Sequence, residues 1–413
     1  MKKYLYFQPE YVREFVCDGS KCGDNCCERN WNIDVDVGTY AQYERIKPES
    51  KSREIAARFS YNADKQKYFL KDRPCPFLTE KKLCRLQLEY GENFLSKTCV
   101  TYPRRTFDFG KFFERSLSPS CPLAAELILF RDEPIKFEFI EVSEQIHSRG
   151  GKIDINPVIA EENFVERMAE IQIAMISILQ ERTLSIDQRL IVLGFFLDRL
   201  DEIKPDDDEA LTKLVAAYES KKFLSEQVPR MLSAVKFDAK NFVALMLLLL
   251  EKLQGFLINA NTQKFMKTLV KTFDIVPDEK NLVSATKIAA AYERLADARK
   301  KFLGSHMTFL ENFLINKLFM TVFPWGFKTD VAKNFGVFAA TYKLFELLAF
   351  SATRQNLGDK DNLLTLTSRF VTASDNNQHF SLEMLKHVPD DIFDSLETLL
   401  DAQAILDTKG AVL

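Results

Sequence analysis

Glycine is scarce in this chain, at 14 of 413 residues, and no two glycines are spaced as G-x-G. A doubly wound nucleotide site needs that spacing after its first strand, where a backbone without Cβ approaches the ligand. The close pairs, Gly19 with Gly23 and Gly150 with Gly151, do not stand between a strand pattern and a helix pattern. A Rossmann-like cofactor site is not expected. Long apolar runs are missing as well. The longest, Phe242 to Leu250 (FVALMLLLL), has nine residues, whereas a membrane span needs about 20, so no membrane partner is expected. The start, MKKYLYFQPEYV, has two lysines but no apolar core and no small-residue cleavage site. A secretory signal is not expected, and the cytoplasm is the expected compartment. The four histidines (147, 306, 379 and 387) form no i, i+4 pair and stand by no nucleophile elbow, so we read them as structural or surface residues. Residues 1 to 125 carry 22 Lys+Arg against 17 Asp+Glu, too slight an excess for a nucleic-acid face.

Cysteine is absent beyond position 121. The eight present are Cys17, Cys22, Cys26, Cys27, Cys75, Cys84, Cys99 and Cys121, four of them within "VCDGSKCGDNCCERNW". In a cytoplasmic chain such crowding favours metal or redox chemistry over structural disulfides. Prolines stand beside or close to Cys75 (RPCPFL), Cys99 (CVTYPRR) and Cys121 (SPSCP), which suggests loop-borne ligands. Thiolates are the soft donors that zinc and iron-sulfur clusters take. No C-x2-C zinc pair and no ferredoxin run occurs. We expect all eight to be candidate metal ligands, with a [4Fe-4S] cluster the first choice and zinc the alternative.

The break in cysteine use divides the chain into a cysteine-rich metal-binding domain at 1–125, a connector at 126–160 around the Gly150–Gly151 loop, and an all-helical domain at 161–413. In the last part a period of 3.6 residues dominates. Over Ser185 to Ile203 one face gathers Leu190, Val192, Leu193, Phe196, Leu197 and Leu200 together with Arg189, and Ser185 with Gln188 reads as a capping box. Helices are also expected over 161–181, 208–221, 239–257, 262–273, 284–302, 306–322, 330–350, 360–373 and 389–406. The fold class is therefore mainly α: a loop-rich N-terminal domain followed by an irregular multi-helix bundle. Within the first part, Trp31 to Val37 alternates as a short strand would, and 39–45 and 52–59 read as helical.

The run C-x4-C-x3-CC, followed by "CPFL", "LCRLQLEYG" and "LSKTCVTYPR", resembles the zinc- or iron-chelating cysteine-cluster domain. "FVCDGSKCGDNCCERNWNIDVDVGTYAQY" is similar to the start of the flagellin lysine N-methylases. The specific matches cover residues 11 to about 125. The resemblance implies methyl transfer from S-adenosylmethionine to surface lysines of flagellin, in the cytoplasm before export. The radical C-x3-C-x2-C triplet is missing, since Cys27 follows Cys26 directly and position 29 is arginine. Methyl transfer to lysine needs a neutral amine, hence a base or a desolvating pocket. Near the cysteines, Tyr102, Asp36 and Asp108 are the candidate catalytic groups. Arg104 and Arg105 are the candidate cofactor ligands, because a guanidinium fork can clamp the methionine carboxylate or neutralise an anionic cluster. The alternative is a non-enzymatic zinc- or iron-sulfur-binding helical scaffold for protein contacts.

Overall fold

A computed structural model of the chain describes residues 3–19, 22, 26–28, 33–143, 162–204, 206–234, 294–326, 330–375 and 380. The helices expected over 239–257, 262–273 and 389–406 lie outside these residues. So do most of 284–295, the Gly150–Gly151 loop, and His147, His379 and His387. The chain divides into two compact units. One comprises Met1–Asp108, Phe112–Leu127 and Phe137–Ile153; the other comprises Phe109–Lys111, Ile128–Lys136 and Asp154–Leu413.

The first unit has more regular structure than the loop-rich expectation. The strands are β1 (Lys3–Pro9), β2 (Asp34–Val35), β3 (Phe59–Asn62), β4 (Lys67–Leu70), β5 (Arg104–Asp108), β6 (Phe113–Leu117) and β7 (Phe137–Ser143). Four of them form a sheet in the order β5-β6-β1-β7, and three form a second in the order β2-β4-β3. β1 pairs antiparallel with β7 along its whole length, from Lys3↔Ser143 to Pro9↔Phe137, and parallel with β6. Thus the expected connector, 126–160, carries an outer strand of the larger sheet. Aromatic residues hold this sheet: Tyr6 stacks on Phe113 at 5.2 Å, Phe7 on Phe139 at 4.8 Å, and the Arg115 guanidinium lies 3.9 Å from the Tyr6 ring centroid. Of the expected strand Trp31 to Val37, the described residues begin at Ile33 and pair as β2, which ends at Val35 because Asp36 leaves the sheet to cap a helix.

The short helices of this unit are α1 (Tyr11–Glu14), α2 (Val37–Glu44), α3 (Glu49–Ala56), α4 (Arg85–Tyr90), α5 (Lys97–Thr101) and α6 (Pro122–Leu129). A core of Val35, Tyr43, Ile46, Ile55, Phe59, Leu70, Phe77 and Leu86 joins the small sheet to α2, α3 and α4. Burying each such side chain contributes about 1.5–3 kcal/mol.

The second unit is helical, as the 3.6 period implies. Its elements are α7 (Glu162–Leu179), α8 (Ile186–Asp201), α9 (Asp208–Glu219), α10 (Lys221–Glu226), α11 (Val228–Ala234), α12 (Ala296–Met320), α13 (Val331–Arg354) and α14 (Lys360–Ala373). The capping box forms as read: Gln188 N donates to Ser185 Oγ at 3.2 Å, and Ser185 N to Gln188 Oε1 at 2.9 Å. Asp207, Asp330 and Asp359 cap α9, α13 and α14. The helices expected over 306–322 and the end of 284–302 run together as α12, which kinks at His306 (φ −141°, ψ 33°) just after Gly304 and Ser305, residues that commonly permit a kink.

By length and composition α13 could cross a membrane, but it is buried throughout as a core helix. Phe345 on α13 stacks on Phe313 of α12 at 3.8 Å and meets Phe370 of α14 at 5.2 Å. Phe323, Pro324 and Trp325 after α12 form a buried helix stop, with Phe323 stacked on Phe338 at 4.4 Å. A Cβ on Gly326 would lie 1.6 Å from the Thr321 carbonyl oxygen. Gly326→Ala should therefore displace the backbone here and lower the thermal midpoint, by several degrees if the cost reaches about 2 kcal/mol; an unchanged midpoint would count against this packing.

Candidate functional site

Local structure brings the thiols toward one another. The Cys75 amide donates to the Cys27 carbonyl at 2.9 Å, fixing the loop after β4 against the single-turn helix Cys26–Glu28. Cys84 stands at the N-terminus of α4, where the Arg85 amide bonds back to the Phe77 carbonyl at 2.7 Å. Cys75 and Cys84 are half-buried at the edge of the core around Phe77 and Leu86. Ser96 caps α5 and accepts the Cys99 amide at 3.1 Å.

The Cys27 thiol hydrogen-bonds with the side chains of Cys26 and Cys75, which raises its pKa. Cys75 is the more acidic member of that pair, brought down to about 7 by its hydrogen bond with Cys27. Cys99 is close enough to feel Cys26, Cys84 and Cys75. Five thiols thus share one neighbourhood: Cys26, Cys27, Cys75, Cys84 and Cys99. The other three, Cys17, Cys22 and Cys121, feel one another, and Cys17 also feels Cys26. Burial raises Cys121 to about 12.

The donors are the soft thiols that a zinc or iron-sulfur centre takes, so their chemistry fits such a group. Among the described residues, however, no three Cys, His, Asp or Glu side chains are disposed to hold a metal ion. The eight candidate ligands, more than one four-ligand site can take, thus fall into a group of five and a group of three, linked through Cys17 and Cys26.

Tyr102 and Arg104 lie at the smaller group. Tyr102 Oη is 3.2 Å from Ser120 Oγ, next to Cys121. The Arg104 guanidinium lies over the Phe15 ring at 5.1 Å, bonds the Phe15 carbonyl at 3.4 Å, and acts electrostatically on Cys17. Arg105 follows it on β5, opposite Ser116. The two aspartates are elsewhere. Asp108 ends β5 opposite Phe113 in the larger sheet. Asp36 caps α2, accepting the Thr39 amide at 2.8 Å and its hydroxyl at 2.7 Å. Burial alone would raise the Asp36 pKa, but the hydrogen bonds from Thr39 outweigh it and hold the carboxyl below its usual range.

This cap gives a direct test. Asp36→Ala should cost about 1 kcal/mol, and Asp36→Ser, which keeps an acceptor oxygen, a few tenths or less. Urea unfolding of both variants would measure this. Equal losses for serine and alanine would argue against a capping role.

In the helical unit a cavity of about 260 Å³ opens beside the α12 kink, lined by Lys301, Phe302, Ser305 and His306 with Thr353, Asn356, Gly358 and Asp359 from the α13–α14 corner. The corner is a Schellman-like turn: Asn356 has φ +58°, and the Leu357 amide bonds the Ala352 carbonyl at 2.8 Å. His306 stacks on Phe302 at 5.1 Å and meets Phe130 edge-on at 6.3 Å. His306, read from sequence as a structural or surface residue, stands in this wall. The available signal was the Gly304–Ser305–His306 interruption between two helical patterns.

A thiol-rich α+β unit followed by a helical unit defines the class of this chain, and comparison with known proteins supplies the family. The family model for the FliB lysine N-methylase C-terminal domain matches residues 172–401, more than half of the chain, so the chain belongs to that family. The lysine-N-methylases of Salmonella typhimurium and Salmonella choleraesuis are each 22% identical over 401 residues, covering 94% of this chain and 96% of the relative. The flagellar biosynthetic protein FliU of Salmonella muenchen is 32% identical over 136 residues, or 31% of this chain and 79% of that protein. No solved structure matches.

Proposed function

We propose that this chain is a protein lysine N-methyltransferase that transfers methyl groups from S-adenosylmethionine to surface lysines of flagellin in the cytoplasm. The observation that carries this reading is the end-to-end similarity to proteins named lysine-N-methylase, 94% of this chain against 96% of theirs. The flagellar name of the shorter relative supports flagellin as the substrate. The chemistry needs a neutral amine, a sulfonium methyl held in line with it, and exclusion of water. Arg104, set beside Cys17 with its guanidinium on Phe15, is a fixed cation suited to a carboxylate or an anionic cluster.

The thiols that would hold a [4Fe-4S] or zinc centre are Cys26, Cys27, Cys75, Cys84 and Cys99. When bound, such a centre would supply folding free energy to the segments that carry these thiols. Around it, the chain's own residues set the geometry: the Cys75–Cys27 backbone bond joins two segments, the Arg85–Phe77 backbone bond holds the start of α4 where Cys84 stands, and the Ser96 cap of α5 holds Cys99.

Mass spectrometry of flagellin co-expressed with this protein tests the activity directly. We expect lysines that gain the mass of one or more methyl groups; unmodified flagellin would leave the non-enzymatic scaffold as the better reading. Anaerobic purification followed by visible absorbance tests the cluster separately. An iron-sulfur band is expected, whereas a colourless protein containing stoichiometric zinc would favour the alternative metal.

A further inference from the structure

We propose that the cavity beside the α12 kink receives the side chain of the substrate lysine, and that His306 takes the proton from its ammonium group. The inference rests on the lysine methylation reading and assigns the amine chemistry to residues of the helical unit rather than to those around the cysteines.

Several independent features meet at this cavity. Its volume, about 260 Å³, lies below the roughly 300–1,000 Å³ of pockets that enclose drug-sized ligands, so it suits one extended side chain better than a whole nucleoside-bearing donor. The Phe302 ring, 1% exposed, supplies an apolar and π-rich wall for the methylenes and the cationic head. His306 lines the cavity, and its Nδ1 is buried with no hydrogen-bond partner among the described residues, so no protein group competes for the imidazole. The Asp359 carboxylate lines the cavity and is ionised, its pKa lowered by hydrogen bonds from Asn362.

Lys301 and the N-terminus of α14 oppose a cation here. Lys301 is solvent-exposed, so its repulsion is screened, and Asp359 itself caps that helix end. Lys360 lies farther off, over the Phe130 ring. Burial lowers the His306 pKa, which keeps the imidazole neutral and able to accept near pH 7. Space on the corner side is tight: a Cβ on Gly358 would stand 2.8 Å from Thr353 Oγ1.

The step balances as follows. The ε-ammonium of lysine gives one proton to the neutral imidazole. The freed lone pair forms a bond to the methyl carbon of a sulfonium donor as the carbon–sulfur bond breaks, and that bond's electron pair stays on sulfur. The products are a methylated ammonium and a thioether, and the imidazolium returns its proton to solvent.

The test uses the full chain with purified flagellin and S-adenosylmethionine. His306→Ala should lower the methylation rate about 100- to 10,000-fold, and added imidazole should restore part of it. Phe302→Leu should raise KM with less effect on kcat. Independently of turnover, Nα-acetyl-lysine methylamide added to the wild-type protein should move the histidine ring resonances that disappear in His306→Gln. If the wild type methylates flagellin while those resonances stay fixed, or while His306→Ala and His306→Gln keep full rate, the inference is overturned and the methylase reading stands. Should the wild type methylate no lysine at all, both fall. A folded His306→Ala that imidazole does not rescue, with no ring shift in the wild type, also overturns the inference and assigns His306 to the kink alone.

Discussion

Replacing Glu311 with leucine should lower the thermal midpoint of this protein by roughly 6–20 °C, from a loss of about 3–5 kcal/mol. Glu311 is 1% exposed and lies between two arginines. Arg189 Nη1 donates to Glu311 Oε2 at 2.7 Å, and Arg182 grips the same carboxylate through Nε and Nη2 at 3.2 and 2.9 Å. Arg182 is one-third exposed and can turn to water, but Arg189 is 1% exposed and cannot. Removing Glu311 therefore strands a buried guanidinium whose other hydrogen bonds run to two carbonyls, Leu179 at 2.9 Å and Leu184 at 2.9 Å. Those contacts matter in their own right, because Arg189 satisfies a carbonyl at the C-terminus of α7 that the helix leaves open.

The double variant Glu311→Leu with Arg189→Met removes both desolvated charges and should recover most of the loss, short of the two orphaned carbonyls. Differential scanning calorimetry of the two single variants and the double variant measures the coupling. Additive losses, with no recovery in the double variant, would show that the ion pair is not what makes Glu311 costly to remove.

That network also shows where sequence patterns stop being informative. The period of 3.6 placed Arg189 on the same face as Leu190, Val192 and Phe196, and the face is indeed buried. Nothing local indicated that a carboxylate 122 residues away would meet it. The helices α8, α9 and α14 were legible because their amphipathic stripes and their Ser or Asp caps lie within one short window, and α13, buried on every side, because of its Asp330 cap and its length of apolar residues. The larger sheet of the first unit was not. β1 pairs with β7 more than 120 residues downstream, and Tyr6 to Pro9 are buried without alternation, a pattern that periodicity cannot separate from loop or helix.

Asp36 was ambiguous for another reason. The alternation of Asp34 and Asp36 suggests a strand, while Asp36 with Thr39 three positions on is an equally local capping signal, and the cap won. For the thiols, the sequence supplied the donors and their crowding. Which thiol meets which depended on loop paths, such as the Cys75–Cys27 backbone bond, that no spacing encodes.

The second large effect is expected at Lys343, and it should depend on pH. Lys343 lies at 2% exposure in the middle of the core helix α13. It donates to Asp187 of α8 and, at 3.0 Å, to Glu346. Tyr342 Oη donates to Glu346 at 2.8 Å, and burial pushes its own pKa well up. One ammonium thus compensates two buried carboxylates. Even with Lys343 present, burial brings the Asp187 pKa up to about 6. A carboxyl whose folded pKa lies above its unfolded value near 3.8 holds its proton more tightly in the native state. Its contribution to stability is therefore full below pH 4 and is lost as pH rises to about 6.

Lys343→Met removes the charge that opposes this rise, so the window extends upward and the penalty at pH 7 grows to about 3–5 kcal/mol. At pH 5 a proton can replace the lost ammonium, and the gap between variant and wild type should narrow by at least about 1 kcal/mol. Thermal unfolding of both proteins at pH 5 and pH 7 measures the difference. A gap of the same size at both values would mean that Asp187 does not take up a proton in place of the lost ammonium. The cost of losing Lys343 would then be one of packing rather than of uncompensated charge.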